Sequence, residues 1–161
     1  MYFLKVIMIM VVAVLAAFLS GGGEMIMPIT SMLDIPSLCM ILLIVIPILW
    51  VSGAGKSVGL AFRMILTGKW DVTLNELKKA EHGLQVLMSS LNTAGIFASV
   101  YSVLVIMIAV RRYAGMEMDV LCANLAVAIL PLLYALIFRI ILIPLKAMVE
   151  RHIIDFMEDT E

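Results

Sequence analysis

The chain has 161 residues, 64% of them hydrophobic and 14% charged, with a mean hydropathy of +1.15. Soluble domains run about 45–50% apolar and about 25% charged, so a water-soluble globule and a disordered chain are both excluded, and one compact integral membrane bundle remains. With 11 basic and 12 acidic residues, the chain lacks the concentrated basic surface that nucleic-acid binding requires.

A spanning helix needs about 20 mostly apolar residues. The first such window covers residues 3–20 and is charged only at Lys5. A basic start before an apolar run also resembles a signal peptide. This run, however, reaches Gly21-Gly22-Gly23 without a convincing small-x-small cleavage site, so it is read as a retained span. Further windows cover residues 36–52, 89–110 and 120–143, the last interrupted only by Arg139. The expected fold is an all-α integral membrane protein, a single four-helix membrane domain over residues 1–161. Cys39 and Cys122 lie inside apolar runs and are read as packing residues.

The connecting segments set the expected topology. Residues 21–35 contain no Lys or Arg, whereas residues 53–88 carry Lys56, Arg63, Lys69, Lys78 and Lys79, and the tail adds Lys146 and Arg151. The positive-inside rule makes the middle segment, the tail and both termini cytoplasmic. Arg111 and Arg112, offset by Glu117 and Asp119, are the minority against it.

Within residues 53–88, Lys69-Trp70-Asp71 reads as a connector, and Thr73-Leu74-Asn75-Glu76 as a capping box. Leu74, Leu77, Leu84, Leu87 and Met88 then recur at helical spacing, with Lys78, Lys79 and Glu81 on the other side. This helix is expected to run into the third span, with Gly83 as its weak point. The tail, residues 144–161, reads as another amphipathic helix.

Catalytic chemistry finds little support. Gly53-Ala54-Gly55-Lys56-Ser57 ends like a phosphate-binding loop. Trp50 occupies the position of the required first glycine, and an apolar span rather than a strand precedes it. It reads as a small-residue helix exit with a basic residue at the lipid surface. His82 and His152 lie apart, with no partners at ligand spacing, and no nucleophile elbow or carboxylate pair is present. The chain is read as no enzyme, with no metal and no cofactor.

The third and fourth spans carry more information. Ala94, Ala98 and Ser102 fall four apart, and Gly95 and Ser99 form an adjacent stripe. Ala123, Asn124, Ala126 and Ala128 give the fourth span a comparable surface. Small residues at this spacing let helices approach closely. Pro131 frees the carbonyl of Val127, which needs a partner or a wet cavity if it lies in lipid. Arg139 calls for a partner, a cavity or the headgroups.

Several stretches resemble the MotA/TolQ/ExbB proton-channel family, most of all a short flagellar stator subunit. Gly21-Gly22-Gly23 followed by Leu33-Asp34-Ile35-Pro36-Ser37-Leu38 resembles the first hairpin of MotA. Gly95-Ile96-Phe97-Ala98-Ser99-Val100-Tyr101-Ser102 is similar to the family's glycine-rich third span. Ala126-Val127-Ala128-Ile129-Leu130-Pro131-Leu132-Leu133-Tyr134-Ala135 is similar to the fourth, and Pro144 to the proline that ends it. The resemblance implies a homo-pentamer in the bacterial inner membrane around a single-span MotB/ExbD-like partner, whose membrane aspartate takes up and releases the ion. Such a motor works on a rotor or envelope protein. It also implies an ion pathway and partner-facing surface at Thr93, Ser99, Ser102, Pro131, Tyr134 and Arg139, and a force-transmitting face at Lys78, Lys79 and Glu81.

Two departures stand out. Pro131-Leu132 replaces the family's paired threonines, and residues 53–88 are much shorter than the flagellar subunit's cytoplasmic segment. The alternatives are a non-conducting scaffold of the same fold and a self-contained transporter. The latter needs an ionisable residue of its own, for which the sequence offers Arg139.

Overall fold

The computed structural model describes residues 34–68, 70, 72–112 and 117–158. The expected first span at 3–20 and the glycine run at 21–23 lie outside them. The described residues form four helices and no strand: α1 (Ile35–Val51), α2 (Ala54–Thr67), α3 (Leu74–Arg112) and α4 (Met118–Glu158). α3 and α4 are each long and apolar enough to cross a membrane.

α1 begins where Asp34 caps it, the carboxylate accepting from the Ser37 amide at 3.2 Å and from the Ser37 hydroxyl. Pro36 fits the first turn, where an amide would have no helical partner. The helix ends as the Ser52 amide bonds back to Ile48 at 3.0 Å and Gly53 takes φ 67, the left-handed region open to glycine. Beyond Gly53 the chain turns by 102° into α2. The stretch read as a helix exit is therefore a corner between two helices, and α2 closes on Gly68 at φ 64.

α3 starts on half of the expected capping box. The Glu76 carboxylate accepts from the Thr73 amide at 2.9 Å, and the Thr73 hydroxyl donates to that same carboxylate instead of accepting the Glu76 amide. The Glu76 amide turns to the Thr73 carbonyl. These bonds, the backbone one foremost, hold the Glu76 carboxyl below its ordinary range, with Lys79 adding a smaller pull. α3 then runs unbroken to Arg112, so the amphipathic helix and the third span are one element.

Gly83 is a contact point rather than a weak point. A Cβ there would stand 2.7 Å from Ser57 Cβ and 2.9 Å from the Val58 amide, so only glycine lets α2 lie this close.

The structure corrects the reading of Pro144 as the end of the fourth span. α4 passes through both Pro131 and Pro144 and continues to Glu158, so the tail is no separate helix. A proline removes one amide and crowds the carbonyl four residues back. Here Leu142, Leu145, Val149 and Ile153, all buried in one cluster, hold the helix on course past it.

α3 and α4 run antiparallel: Lys146 interacts with Glu81, Ala135 touches Gly95, and Leu132 bonds Ser99. The core has two textures. Toward the Lys146 end it joins Ile41, Val45, Met64, Leu77, Leu84, Leu145 and Val149. Further along the hairpin it narrows to Ala94, Ala98, Ser99, Ala128, Pro131 and Ala135.

Candidate functional site

The seam between α3 and α4 is built from small residues, as the α3 stripe anticipates. Ala94 and Ala98 are completely buried. A Cβ on Gly95 would lie 2.4 Å from Ala135 Cβ and 3.2 Å from the Pro131 carbonyl oxygen, so glycine brings the helices to near backbone contact. On α4 the contact surface is Ala128, Pro131, Leu132 and Ala135. The expected Ala123, Asn124 and Ala126 are exposed, because α4 turns a different side to its neighbour.

Ser99 and Pro131 do come together. The Leu132 amide, next after the proline, donates to Ser99 Oγ at 3.1 Å. Ser99 thus accepts from a half-buried amide across the seam, in addition to any wider role for its hydroxyl. Two other hydroxyls on α3 serve their own helix: Thr93 donates to the Ser89 carbonyl at 3.0 Å and Ser90 to the Leu87 carbonyl at 2.9 Å. Thr93 is exposed on the outer side of α3, away from the seam, and Ser102 is half-buried.

Tyr134 reaches a residue that sequence reasoning placed in a loop. Its hydroxyl accepts from the Asp34 amide at 2.8 Å. Counted at about 1.5 Å per residue, Tyr134 lies about 24 Å along α4 from Met118 and about 18 Å from Lys146. Side chains on a helix lean toward its N-terminus, which brings the Tyr134 hydroxyl close to the level of the Ser99–Leu132 bond. Asp34 therefore stands near the middle of the hairpin's apolar length. No acid was expected at that level, since Leu33-Asp34-Ile35 reads locally as a connector. The one available signal was the Asp-Ile-Pro-Ser cap, which starts a helix but says nothing of its depth.

α1 consequently flanks only the half of the hairpin that leads to Lys146. Its buried Ile41 and Val45 pack there with Leu142, Leu145 and Val149.

Arg139 is exposed and lines an open groove of about 310 Å³ with Gln85, Met88, Ser89, Asn92 and Lys146. Lys146 is held by Glu150 at 2.9 Å, the sole ion pair among the described residues. That hydrogen bond, helped by the charges of Glu150 and Glu81 and opposed by burial, raises the Lys146 ammonium above its ordinary range. Lys78 and Lys79 are exposed beside Ser57, Asn75 and His82, and Glu81 is half-buried facing the Lys146 side.

His152 donates from Nδ1 to the Met148 carbonyl at 2.9 Å, and its ring stacks on Trp70 with centroids 3.6 Å apart, pinning the α2–α3 connection to α4. Among the described residues no three His, Cys, Asp or Glu side chains are grouped to hold a metal.

The structure thus joins Ser99, Pro131 and Tyr134 at one level and adds Asp34. It sets Arg139 apart in a groove and leaves Thr93 on an outer face. Comparison of the chain with known protein families, with curated proteins and with solved structures finds no match in any of the three.

Proposed function

We propose that the chain is the ring-forming subunit of an ion-motive-force-driven membrane motor, a pentamer surrounding a single-span MotB/ExbD-like partner in the bacterial inner membrane, both termini cytoplasmic. The observation that carries this reading is the uncovered hairpin. Only 22% of the most apolar window of α3, and the same share of α4, is buried within the chain. A small-residue seam holds the two helices together while Ile96, Phe97, Val100, Tyr101 and Leu104 remain exposed on α3. Such a hairpin suits a subunit whose outer faces meet lipid, neighbouring copies and an inner helix. The family resemblance of the same two helices supports the same reading.

In this scheme the partner's aspartate carries the ion past the Ser99–Pro131 level, and the carbonyl freed by Pro131 replaces the missing threonine hydroxyls as an acceptor. Lys78, Lys79 and Glu81 deliver force to a rotor or envelope protein. Purification in mild detergent, native mass determination and proton-flux assays in vesicles test the proposal. A five-subunit ring that brings down a single-span protein with a membrane aspartate, and whose flux falls in Pro131→Leu, supports it. A monomer or dimer without such a partner rejects it.

Asp34 favours a second reading, a self-contained transporter. A carboxylate at mid-depth is uncommon and tends to mark an ion path, and here the chain supplies one itself. Flux through the chain alone, abolished in Asp34→Asn, would select this reading over the motor. Asparagine keeps the helix cap, so the loss would report the carboxylate.

A further inference from the structure

Polar side chains from both helices of the hairpin converge on one groove. Gln85, Ser89 and Asn92 fall four and three apart on α3, which puts them on one face, and Arg139 and Lys146 fall seven apart on α4. With Met88 they line the open groove of about 310 Å³, large enough for a small ligand. The groove borders the small-residue seam, since Asn92 lies three residues before Gly95 and Arg139 four after Ala135.

Most of the donors in this groove are not spent on protein. Among the described residues, the side chains of Gln85, Ser89, Asn92 and Arg139 form no hydrogen bond or ion pair, whereas the neighbouring Ser90 and Thr93 bond to their own helix. Lys146 gives one of its N–H groups to Glu150, which like Glu81 lies further out along the hairpin. None of the lining residues is acidic, so the groove gathers donors with a cation on either side of its length.

Its level gives these donors a meaning. Ser99 and Leu132, joined by a hydrogen bond, lie at the midpoints of the apolar windows 89–110 and 120–143. Asn92 and Arg139 are each seven residues from that bond, and Gln85 and Lys146 each fourteen. At about 1.5 Å per residue the groove therefore runs from about 10 Å to about 21 Å away from it. A bilayer's hydrocarbon ends about 15 Å from its centre and its headgroups about 20–22 Å out. The groove straddles the boundary where phospholipid phosphates meet the acyl chains. At its inner end a guanidinium and an amide without partners would be costly in hydrocarbon.

We propose that this groove binds a phosphate-bearing anion, at this depth the phosphodiester of an anionic phospholipid. Arg139 and Lys146 take the phosphate oxygens, and Asn92, Ser89 and Gln85 supply further donors. The planar fork of a guanidinium suits two phosphate oxygens at once. With Glu150 already engaged by Lys146, the ammonium of a zwitterionic headgroup meets no acid among the lining residues, which favours a lipid of net negative charge. The inference assigns Arg139 to lipid rather than to an ion path. It rests on α3 and α4 crossing a bilayer and on neither ring assembly nor ion flux, so it is read separately from both.

The test uses the full chain in nanodiscs of equal parts phosphatidylcholine and phosphatidylglycerol, released into mild detergent for native mass spectrometry. Phosphatidylglycerol is expected to stay bound in preference to phosphatidylcholine. Arg139→Gln and Lys146→Gln should each cut its retention about fivefold, and Arg139→Lys, which keeps the charge, should preserve most of it. Arg151→Gln removes an exposed cation of α4 outside the groove and should leave retention unchanged. Arg139 is itself exposed, so an unaltered circular dichroism spectrum is expected for its variants.

Retention that persists in the double glutamine variant of Arg139 and Lys146 overturns the proposal. So does an equal loss in Arg151→Gln, which would mark a general attraction between charges. Excess inorganic phosphate separates the two sources of the anion. Lipid that stays bound assigns the site to phospholipid. Lipid displaced by phosphate, with the displacement lost in Arg139→Gln, upholds the phosphate site and gives its anion a soluble source.

Discussion

The two ends of the α3–α4 hairpin are held together by opposite means. At the Gly95–Ala135 seam the contacting residues are glycine, alanine and serine together with Pro131 and Leu132, and one hydrogen bond crosses between helices. Toward Lys146 the core is made of leucine, isoleucine, valine and methionine from all four helices, with an aromatic stack at its edge. Surrounded by lipid, helices gain nothing from hiding apolar side chains, and only close backbone packing and polar contacts favour association. Nearer water, burying large side chains becomes the driving force. A change from small to large residues along one pair of helices is what a change of solvent from lipid to water would select. The seam should be broken by adding atoms, and the outer end by removing them.

Four measurements test that contrast, taken here from the largest expected effect to the smallest. Leu84 is completely buried in the large-residue core, so Leu84→Ala should cost about 3 kcal/mol through lost transfer energy and a residual cavity. Reversible unfolding in mixed micelles reads this directly, and a loss near zero would refute a water-driven core at that end.

Gly95→Ala places a methyl 2.4 Å from Ala135 Cβ and should cost about 2 kcal/mol by forcing the helices apart. Ala135→Gly in the same chain should restore at least half of that loss. No rescue would mean that the strain lies elsewhere.

Ser99→Ala removes the hydrogen bond that the Leu132 amide makes across the seam and should cost about 1 kcal/mol, since interhelical hydrogen bonds in lipid are modest in strength. A thermal-denaturation shift would show it, and an unchanged midpoint would argue that the amide has returned to its own helix.

The smallest effect is a pH response at the start of α3. The folded state holds the Glu76 carboxyl below its ordinary range. Its capping contribution is therefore complete above the unfolded glutamate pKa and fades as pH falls through the lowered value. Amide exchange in the first turn of α3 should quicken on acidification beyond the intrinsic rate, and Glu76→Gln should flatten that response.

Much of the helical content was legible because apolar windows and the Leu74–Leu77–Leu84 spacing are local signals. The merger of that amphipathic stretch with the third span follows from the same periodicity running on without a breaker. α2 was obscured because two of its three buried residues, Ala54 and Ala61, are small, and two glycines interrupt its first turns. The bracketing by Gly53 and Gly68 was the available sign. Pro144 misled because a proline's local effect is to stop a helix, whereas the buried Leu142, Leu145 and Val149 lie on neighbours distant in sequence.

The sequence by itself determined an all-helical apolar chain, the two long helices and the small-residue stripe on α3. Composition and period depend only on each residue's own chemistry and spacing. Tertiary structure alone decided that Asp34 lies at the level of Tyr134, that Ser99 serves the amide after Pro131, and that α2 packs on α3 at Gly83. Each of these is a contact between residues far apart in the chain. It forms only where two backbones come close enough for one atom to reach the other, a distance that no local pattern encodes.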